Sequence, residues 1–289
     1  VVGHAAGGRG RKLRQAMSLM VDTEGYTERF TNKRGIPAQS PLPPGLFGFD
    51  ESYRNPYRQV DLTLATSLME EAGYPGGIDP ATGRALKLTF DTPDPSAQGR
   101  ARYQFFVDAW RRLGVDVEIA STNYNQFQDK VQNGAYQLFM WGWVADYPDP
   151  ENFLFLLHGP NGRTASGGPN TANFKHARYD ELFIRMKDMA NSPERALLIG
   201  EMLKIIEDER PWMELFHREN YSLYHSWLAN VKPVGLSFAT AKYRGLDAVA
   251  RAQWRKEHNH PIRWPLYLFV IGFVAMLVRG VQTFMEERQ

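Results

Sequence analysis

Residues 86 to 119 constrain the fold more tightly than any other stretch of the chain. Leu86, Leu88 and Phe90 alternate along the sequence, the period of a strand with one buried face. Tyr103, Phe106, Val107, Trp110 and Leu113 follow at helical spacing, and Gly114 ends that helix. Val115, Val117 and Ile119 then alternate with Asp116 and Glu118. A strand, a helix and a strand with short links read as a right-handed crossover with parallel strands, so this region is α/β. A further helix holding Phe127 and Val131, then an aromatic strand from Tyr136 to Trp143, extend the pattern.

That last strand runs into Trp141-Gly142-Trp143-Val144-Ala145-Asp146-Tyr147-Pro148-Asp149-Pro150-Glu151-Asn152. Pro148 and Pro150 fix their own φ and push Tyr147 and Asp149 away from helix, so the backbone is stiff and extended. Asp146 therefore sits just past a strand end, flanked by Trp143 and Tyr147. Two readings follow. One carboxylate between aromatic walls is how a site for a cation such as an amine is built. A strand-end turn whose Asp bonds nearby amides has the same residues. Asp146 and Asp149 as an acid–base pair lack a second catalytic partner.

Composition narrows the classes. The 289 residues suffice for one large or two ordinary domains, and 43% hydrophobic against 23% charged supports a real core. A net charge of +2 gives no electrostatic case for nucleic acid. With no cysteine, disulfides, thiolate nucleophiles and Cys-held metals are excluded. None of the seven histidines falls in a His-Glu-x-x-His spacing, no Gly-x-Ser-x-Gly elbow occurs, and Gly7-Gly8-Arg9-Gly10 lacks the Gly-Lys-Ser/Thr ending of a phosphate loop. The expectation is a protein that is not an enzyme, with no cofactor and no metal. The first residue is Val1, with no charged n-region and apolar h-region before the first element, as in a processed product or a fragment.

The flanks are read the same way. Val1 to Arg11 is expected to be a loop, and Leu13, Ala16, Met17, Met20 and Val21 a helix face. Ile36 to Phe49, with four prolines and three nearby glycines, is expected to be an ordered loop without regular structure. Leu64, Leu68, Met69 and Ala72 mark a helix capped by Gly73. A helix begins near Tyr179, and Ser192-Pro193-Glu194 starts another. Leu215 to Tyr224 reads as a strand leaving the domain. Residues 248 to 263 form a polar linker. Trp264 to Val278 is then a run of 15 uncharged residues, short of the ~20 a bilayer core needs. If Arg279 snorkels, Val281, Phe284 and Met285 lengthen it to a transmembrane helix over 264–285, with Trp264 and Tyr267 at the interface. Arg251, Arg255, Lys256 and Arg263 either touch anionic lipid heads or are simply solvated.

Four stretches in order resemble the extracytoplasmic solute-binding proteins of oligopeptide, dipeptide and nickel ABC importers, the bacterial family 5. Lys12 to Asp22 is similar to that family's "VRQALSLAID" helix, and Pro37 to Gly45 to its proline loop. Leu68-Met69-Glu70-Glu71-Ala72-Gly73-Tyr74-Pro75 is similar to "LLAEAGYP". Trp141 to Asn152 with Phe153-Leu154 is similar to "GW.ADYPDP..FL". The likeness spans roughly residues 10 to 245. It implies a type II periplasmic-binding-protein-like lobe with a mixed sheet flanked by helices: residues 1–216 as the C-terminal lobe, and 217–247 as a return segment to a first lobe that this chain lacks.

The resemblance also implies a function. The Asp of "W.AD", Asp146 here, would hold a peptide ligand's α-amino group, with Trp143 beside it and Trp141 and Tyr147 in the same wall. The expected partners are a short peptide or other small solute, an ABC permease or other integral membrane subunits, a chain supplying the first lobe, and the lipid bilayer. The expected location is the inner membrane, with the binding domain on the extracytoplasmic side. A C-terminal span departs from the family, whose members are free or lipid-anchored at the N-terminus. The positive-inside rule, with four Lys/Arg before the span and two after it, points the other way from an external domain. The alternative is a solute-binding fold repurposed as an accessory or structural subunit of a membrane complex.

Overall fold

The computed structural model describes residues 1–3, 6–232 and 242–288. They fall into two units, Val1–Tyr221 and Ser222–Gln289. The first unit opens with α1 (Gly7–Leu19), so the loop expected through Arg11 is helical from Gly7. Gly10 serves close packing there: a Cβ on it would lie 2.8 Å from the Gly3 carbonyl oxygen. Arg9 donates to the Ala72 carbonyl at 3.0 Å, and its guanidinium lies over the Tyr74 ring. These contacts add tertiary support to a glycine-rich turn whose own helix propensity is poor.

Next come α2 (Thr23–Thr31), capped by Asp22, and β1 (Gly35–Pro37). The proline-rich segment was expected to lack regular structure altogether. Its first residues instead pair antiparallel with Phe216–Arg218, and Pro37 lies at the strand end, a place where a missing N–H is tolerated. α3 (Leu62–Glu71) follows, capped by Asp61, with Gly73 beyond its end at φ +82° as a left-handed stop. β2 (Ile78–Asp79) and β3 (Arg84–Ala85) form a small hairpin.

The central unit forms as the alternation predicts. β4 (Lys87–Thr92) and β5 (Asp116–Ser121) are parallel, joined through α4 (Ala97–Arg111), with Lys87 opposite Asp116 and Thr92 opposite Ser121. α5 (Tyr124–Asn133) leads to β6 (Leu138–Phe139), parallel to β4 on its other side, giving the order β5-β4-β6. The strand expected over Tyr136–Trp143 shrinks to these two residues. β4 ends at Thr92 and Pro93 follows, so Met140 to Trp143 run past the sheet with no ladder to join.

Short helices α6 (Glu151–Leu154) and α7 (Arg163–Ser166) precede α8 (Ala177–Met186) and α9 (Pro193–Glu209). Ser192 caps α9 by accepting from the Arg195 N–H, as its Ser-Pro-Glu start predicts. β7 (Phe216–Arg218) closes onto β1. Leu215–Tyr224 is therefore only briefly a strand, and that strand stays inside the first unit.

Two apolar clusters hold this unit. One gathers α1, α3, α4, β4 and β5 around Met17, Leu88 and Trp110; the Trp110 indole donates to the Met17 carbonyl at 2.9 Å. The other joins α8 and α9 to Leu42, Leu154 and Phe174. Arg14 ties α1 to α9. Its guanidinium covers the Glu209 and Arg210 carbonyls at the α9 C-terminus, at 2.7 to 3.1 Å, where the helix leaves acceptors without intrahelical donors. Burial, opposed by the Glu209 charge, lowers the Arg14 pKa to about 10.

In the second unit, β8 (Leu228–Ala229) pairs antiparallel with β9 (Gly245–Leu246). α10 (Ala248–His258) is capped by Asp247, whose side chain accepts from the Ala250 N–H at 2.9 Å. The polar linker expected over 248–263 is thus helical for its first eleven residues. A ladder of rings links helix to hairpin: Trp254 lies 4.9 Å from Trp227, His225 stacks on Trp227 at 3.9 Å, and His258 stacks on Trp254 at 4.2 Å. α11 (Trp264–Glu286) follows, 23 residues with mean hydropathy 1.9 in its most apolar window and none of that window buried. Residues 233–241 of the expected return segment lie outside the described residues.

Candidate functional site: an open aromatic wall around Asp146

The segment that leaves β6 is shaped by one buried amide. Asn152, in the first turn of α6, is 2% exposed. Its Oδ1 accepts from the Trp143 indole N–H at 3.1 Å and from the Asp146 backbone N–H at 2.9 Å. One oxygen therefore fixes both the tryptophan and the backbone that carries the carboxylate. Trp143 also meets Phe155 edge-on at 5.5 Å. Ala145 is buried, while Trp143, Val144, Asp146 and Tyr147 are exposed. The strip is thus held at the Trp143 indole and the Asp146 amide, with the side chains of Trp143, Val144, Asp146 and Tyr147 exposed.

Around the next bend the contacts are structural. Asp149 accepts from both terminal nitrogens of Arg195, at 2.6 and 2.8 Å, and from the Glu151 N–H at 2.9 Å. Burial works against the charged form of Asp149, but the Arg195 hydrogen bonds, the Glu151 amide and the Arg195 charge prevail and hold its pKa below the usual carboxylate range. Arg195 is 2% exposed and also donates to the Met186 carbonyl and the Asn191 side chain. The Tyr147 hydroxyl donates to Glu151, and burial together with that bond raises the tyrosine's pKa.

Asp146 differs from its neighbour. Among the described residues its carboxylate has neither a hydrogen bond nor an ion pair; only its backbone N–H is engaged. A charge without an internal partner, on a fixed backbone beside Trp143 and Tyr147, can accept hydrogen bonds from a cationic ligand. Trp141 packs separately, edge-on to Phe127 at 5.6 Å, beside a shallow depression lined by Gln128, Asp129, Val131, Gln132 and Arg163. The structure thus joins Trp143 and Asp146 through one amide and seats Trp141 on α5. Asp149 is committed to Arg195 and is no partner for acid–base work with Asp146.

Asn152 and Arg195 carry this geometry, and neither drew notice as a site residue in the sequence. Asn152 gave a faint signal as a polar side chain in the first turn of an otherwise apolar Phe-Leu-Phe-Leu-Leu segment. Arg195, 46 residues from Asp149, gave none. Among the described residues no group of three or more His, Asp or Glu is placed to hold a metal.

The comparisons with known proteins agree with this frame. The family described as bacterial extracellular solute-binding proteins, family 5 Middle, matches residues 9–165, more than half of the chain. Heme-binding protein A of Haemophilus influenzae is 26% identical over 212 residues, 73% of this chain and 37% of that protein. The oligopeptide-binding protein OppA of Bacillus subtilis is 27% identical over 201 residues, 69% of this chain and 35% of that protein. Among solved structures, the periplasmic binding protein DppA of Helicobacter pylori, in complex with the peptide STSA, has a TM-score of 0.68 at 23% identity, over 84% of this chain and 46% of that one. The oligopeptide-binding protein AppA of Bacillus subtilis, in complex with a nonapeptide, has a TM-score of 0.66. The chain spans little more than a third of the length of the curated relatives it matches. Its α/β architecture is that of type II periplasmic binding proteins, and the chain belongs to the bacterial extracellular solute-binding proteins of family 5.

Proposed function

We propose that this chain supplies one wall of the ligand cleft in a membrane-tethered, extracytoplasmic peptide- or solute-binding component of an ABC importer. The observation that carries the reading is the Asp146 carboxylate, exposed and, among the described residues, without a partner, on a backbone pinned by Asn152. In this role Asp146 accepts from the α-ammonium group of a short peptide, Trp143 and Tyr147 pack beside the first residue, and Trp141 extends the wall. A second lobe supplies the opposing surface, and hinge closure excludes water from the ion pair. The peptides in the Helicobacter pylori complex and in the Met-Leu complex of the Pseudoalteromonas dipeptide-binding protein support this ligand class. The name of the Haemophilus relative points to heme, so family membership alone does not select the ligand. α11 serves as the tether, delivering ligand to a permease in the same membrane.

Calorimetry tests the reading. The protein is assembled with the polypeptide that supplies the opposing lobe and titrated with di- to pentapeptides. Asp146→Ala weakens binding by about 2–5 kcal/mol, as for one partner of a desolvated pair. N-acetylated peptides, which lack the cation, lose affinity for the wild type and none further for the variant. Equal affinity of wild type and variant for free-amine peptides rejects the role. A second reading, an accessory subunit of a larger membrane complex, draws on the fully exposed flank of α11. Stable co-purification with foreign transmembrane subunits and no peptide binding by the assembly would favour it.

A further inference from the structure

α10 separates its charges. At 100° per residue, Arg251, Arg255 and Lys256 fall within one arc of about 140°, interleaved with Ala248 and Ala252. All three basic residues are exposed. Glu257, the helix's one acid, lies outside that arc, where its carboxylate accepts from Gln253 at 3.0 Å. The helix's rotation is set by Trp254, wedged between Trp227 and His258 at the edge of the basic arc. The five residues from Asn259 to Arg263 join α10 to α11 and span at most about 20 Å. The basic face is therefore confined near the end of a long apolar helix. Arg263, the last residue before that helix, is basic and exposed, and Trp264 and Tyr267 stand in its first turn. Charge is also lopsided along the chain. Residues 248–263 hold Arg251, Arg255, Lys256 and Arg263 against Glu257, whereas residues 279–288 balance Arg279 and Arg288 with Glu286 and Glu287.

We propose that the Arg251–Arg255–Lys256 face of α10, continued by Arg263, seats on anionic phospholipid headgroups of the leaflet that α11 enters. The inference rests on α11 being a membrane span. The chemistry is the pairing of guanidinium and ammonium groups with phosphate, and the alanines between them let the helix lie close to the surface. Each basic side chain near such a surface strengthens partitioning roughly five-fold at ordinary ionic strength, so three together amount to roughly a hundred-fold. Held this way, α10 is an interfacial collar: it fixes the hairpin and ring ladder of the second unit against the bilayer.

The full chain is reconstituted into nanodiscs of phosphatidylcholine alone or mixed with phosphatidylglycerol, and backbone hydrogen exchange is followed by mass spectrometry. Exchange across residues 248–263 is expected to slow by about ten-fold or more in the anionic discs alone, and to recover at high salt. The combined variant Arg251→Gln, Arg255→Gln, Lys256→Gln loses the protection. Arg251→Lys with Arg255→Lys keeps most of it, and Glu257→Gln keeps or increases it, which separates charge from a failure of the helix to form. Equal exchange in both kinds of disc, with α11 protected, overturns the collar and leaves the tether standing. Free exchange of α11 amides in both overturns the tether and the collar together.

Discussion

Arg195 grips Asp149 with both terminal guanidinium nitrogens, at 2.6 and 2.8 Å, across 46 residues of sequence. The pair joins the bend after Asp146 to the first turn of α9, and Phe47 of the proline-rich segment lies under the guanidinium at 6.0 Å. Removing the acid strands a cation that is 2% exposed. Asp149→Ala is therefore expected to destabilise the first unit by about 2–4 kcal/mol, below the full cost of an unpaired buried charge because Asp149 is itself about one-third exposed. Arg195→Met, which refills the space without charge, is expected to cost less. Urea unfolding followed by tryptophan fluorescence checks both, and equal losses would mean that the stranded charge is not the cause.

Asn152 poses a different question, because its bonds hold the wall rather than the core. Asn152→Ala removes the acceptor shared by the Trp143 indole and the Asp146 amide. A cost of about 1–3 kcal/mol is expected from the unsatisfied donors. If the chain forms one wall of a peptide cleft as proposed, the assembled protein should also lose peptide affinity although Asp146 is intact. Asp146→Ala should do the reverse: an exposed carboxylate contributes within about 0.5 kcal/mol to folding, so its variant melts as the wild type does while binding fails. Thermal melts and calorimetry on the two variants separate a positioning residue from a binding one, and identical profiles would merge them.

How much of this was legible in the sequence differs by element. The β4–α4–β5 crossover was, because Leu86-Leu88-Phe90 and Val115-Val117-Ile119 report burial through local alternation, and local alternation is what a sequence displays. The start of α9 was legible too, since capping by Ser192 is a contact of three residues. β6 was overextended because aromatic content suits a strand, but a strand needs a partner, and β4 had already ended at Thr92. Gly7 to Gly10 was misread because a glycine-rich turn lacks helix propensity of its own; Arg9 on the Ala72 carbonyl and the close approach of Gly3 to Gly10 are long-range facts. At the site, Asp146 and Trp143 stood out by type, whereas Asn152 and Arg195 act through geometry that only folding brings together.

Among the described residues of the second unit, a ladder of four rings joins α10 to the β8–β9 pair, so one substitution should be decisive. Trp227 is 8% exposed, with His225 on one ring contact and Trp254 on another. Among the described residues the strand pair beside it has two residue pairs, too little for independent stability in water. Trp227→Ala is expected to release α10 and the hairpin together, with exchange of their amides approaching the free-chain rate while α3 and α4 stay protected. Hydrogen exchange of the full chain reads both units at once. Continued protection of α10 would show that the helix stands without its ring ladder.

A buried histidine, His158, and a half-buried one, His217, give the first unit an acid limit. Burial lowers the pKa of His217, on β7, against the opposing charge of Glu214 and with Arg58 adding to the shift. Burial lowers that of His158 as well, a ring 4.5 Å from Phe183, against the pull of Asp180. In both cases the folded state resists a proton that the unfolded chain accepts near pH 6.5. The unfolded state then binds more protons between the folded and unfolded pKa values, so stability rises with pH in that window. Their contribution is complete above about pH 6.5 and declines as pH falls below it. Asp149 behaves differently, because its lowered pKa keeps its contribution intact until pH falls below the ordinary carboxylate range near 4. Urea midpoints at pH 7.5 to 5.0 should therefore fall for the wild type, and fall less for His217→Gln and His158→Gln combined. The same slope in the double variant would assign the acid sensitivity to other groups.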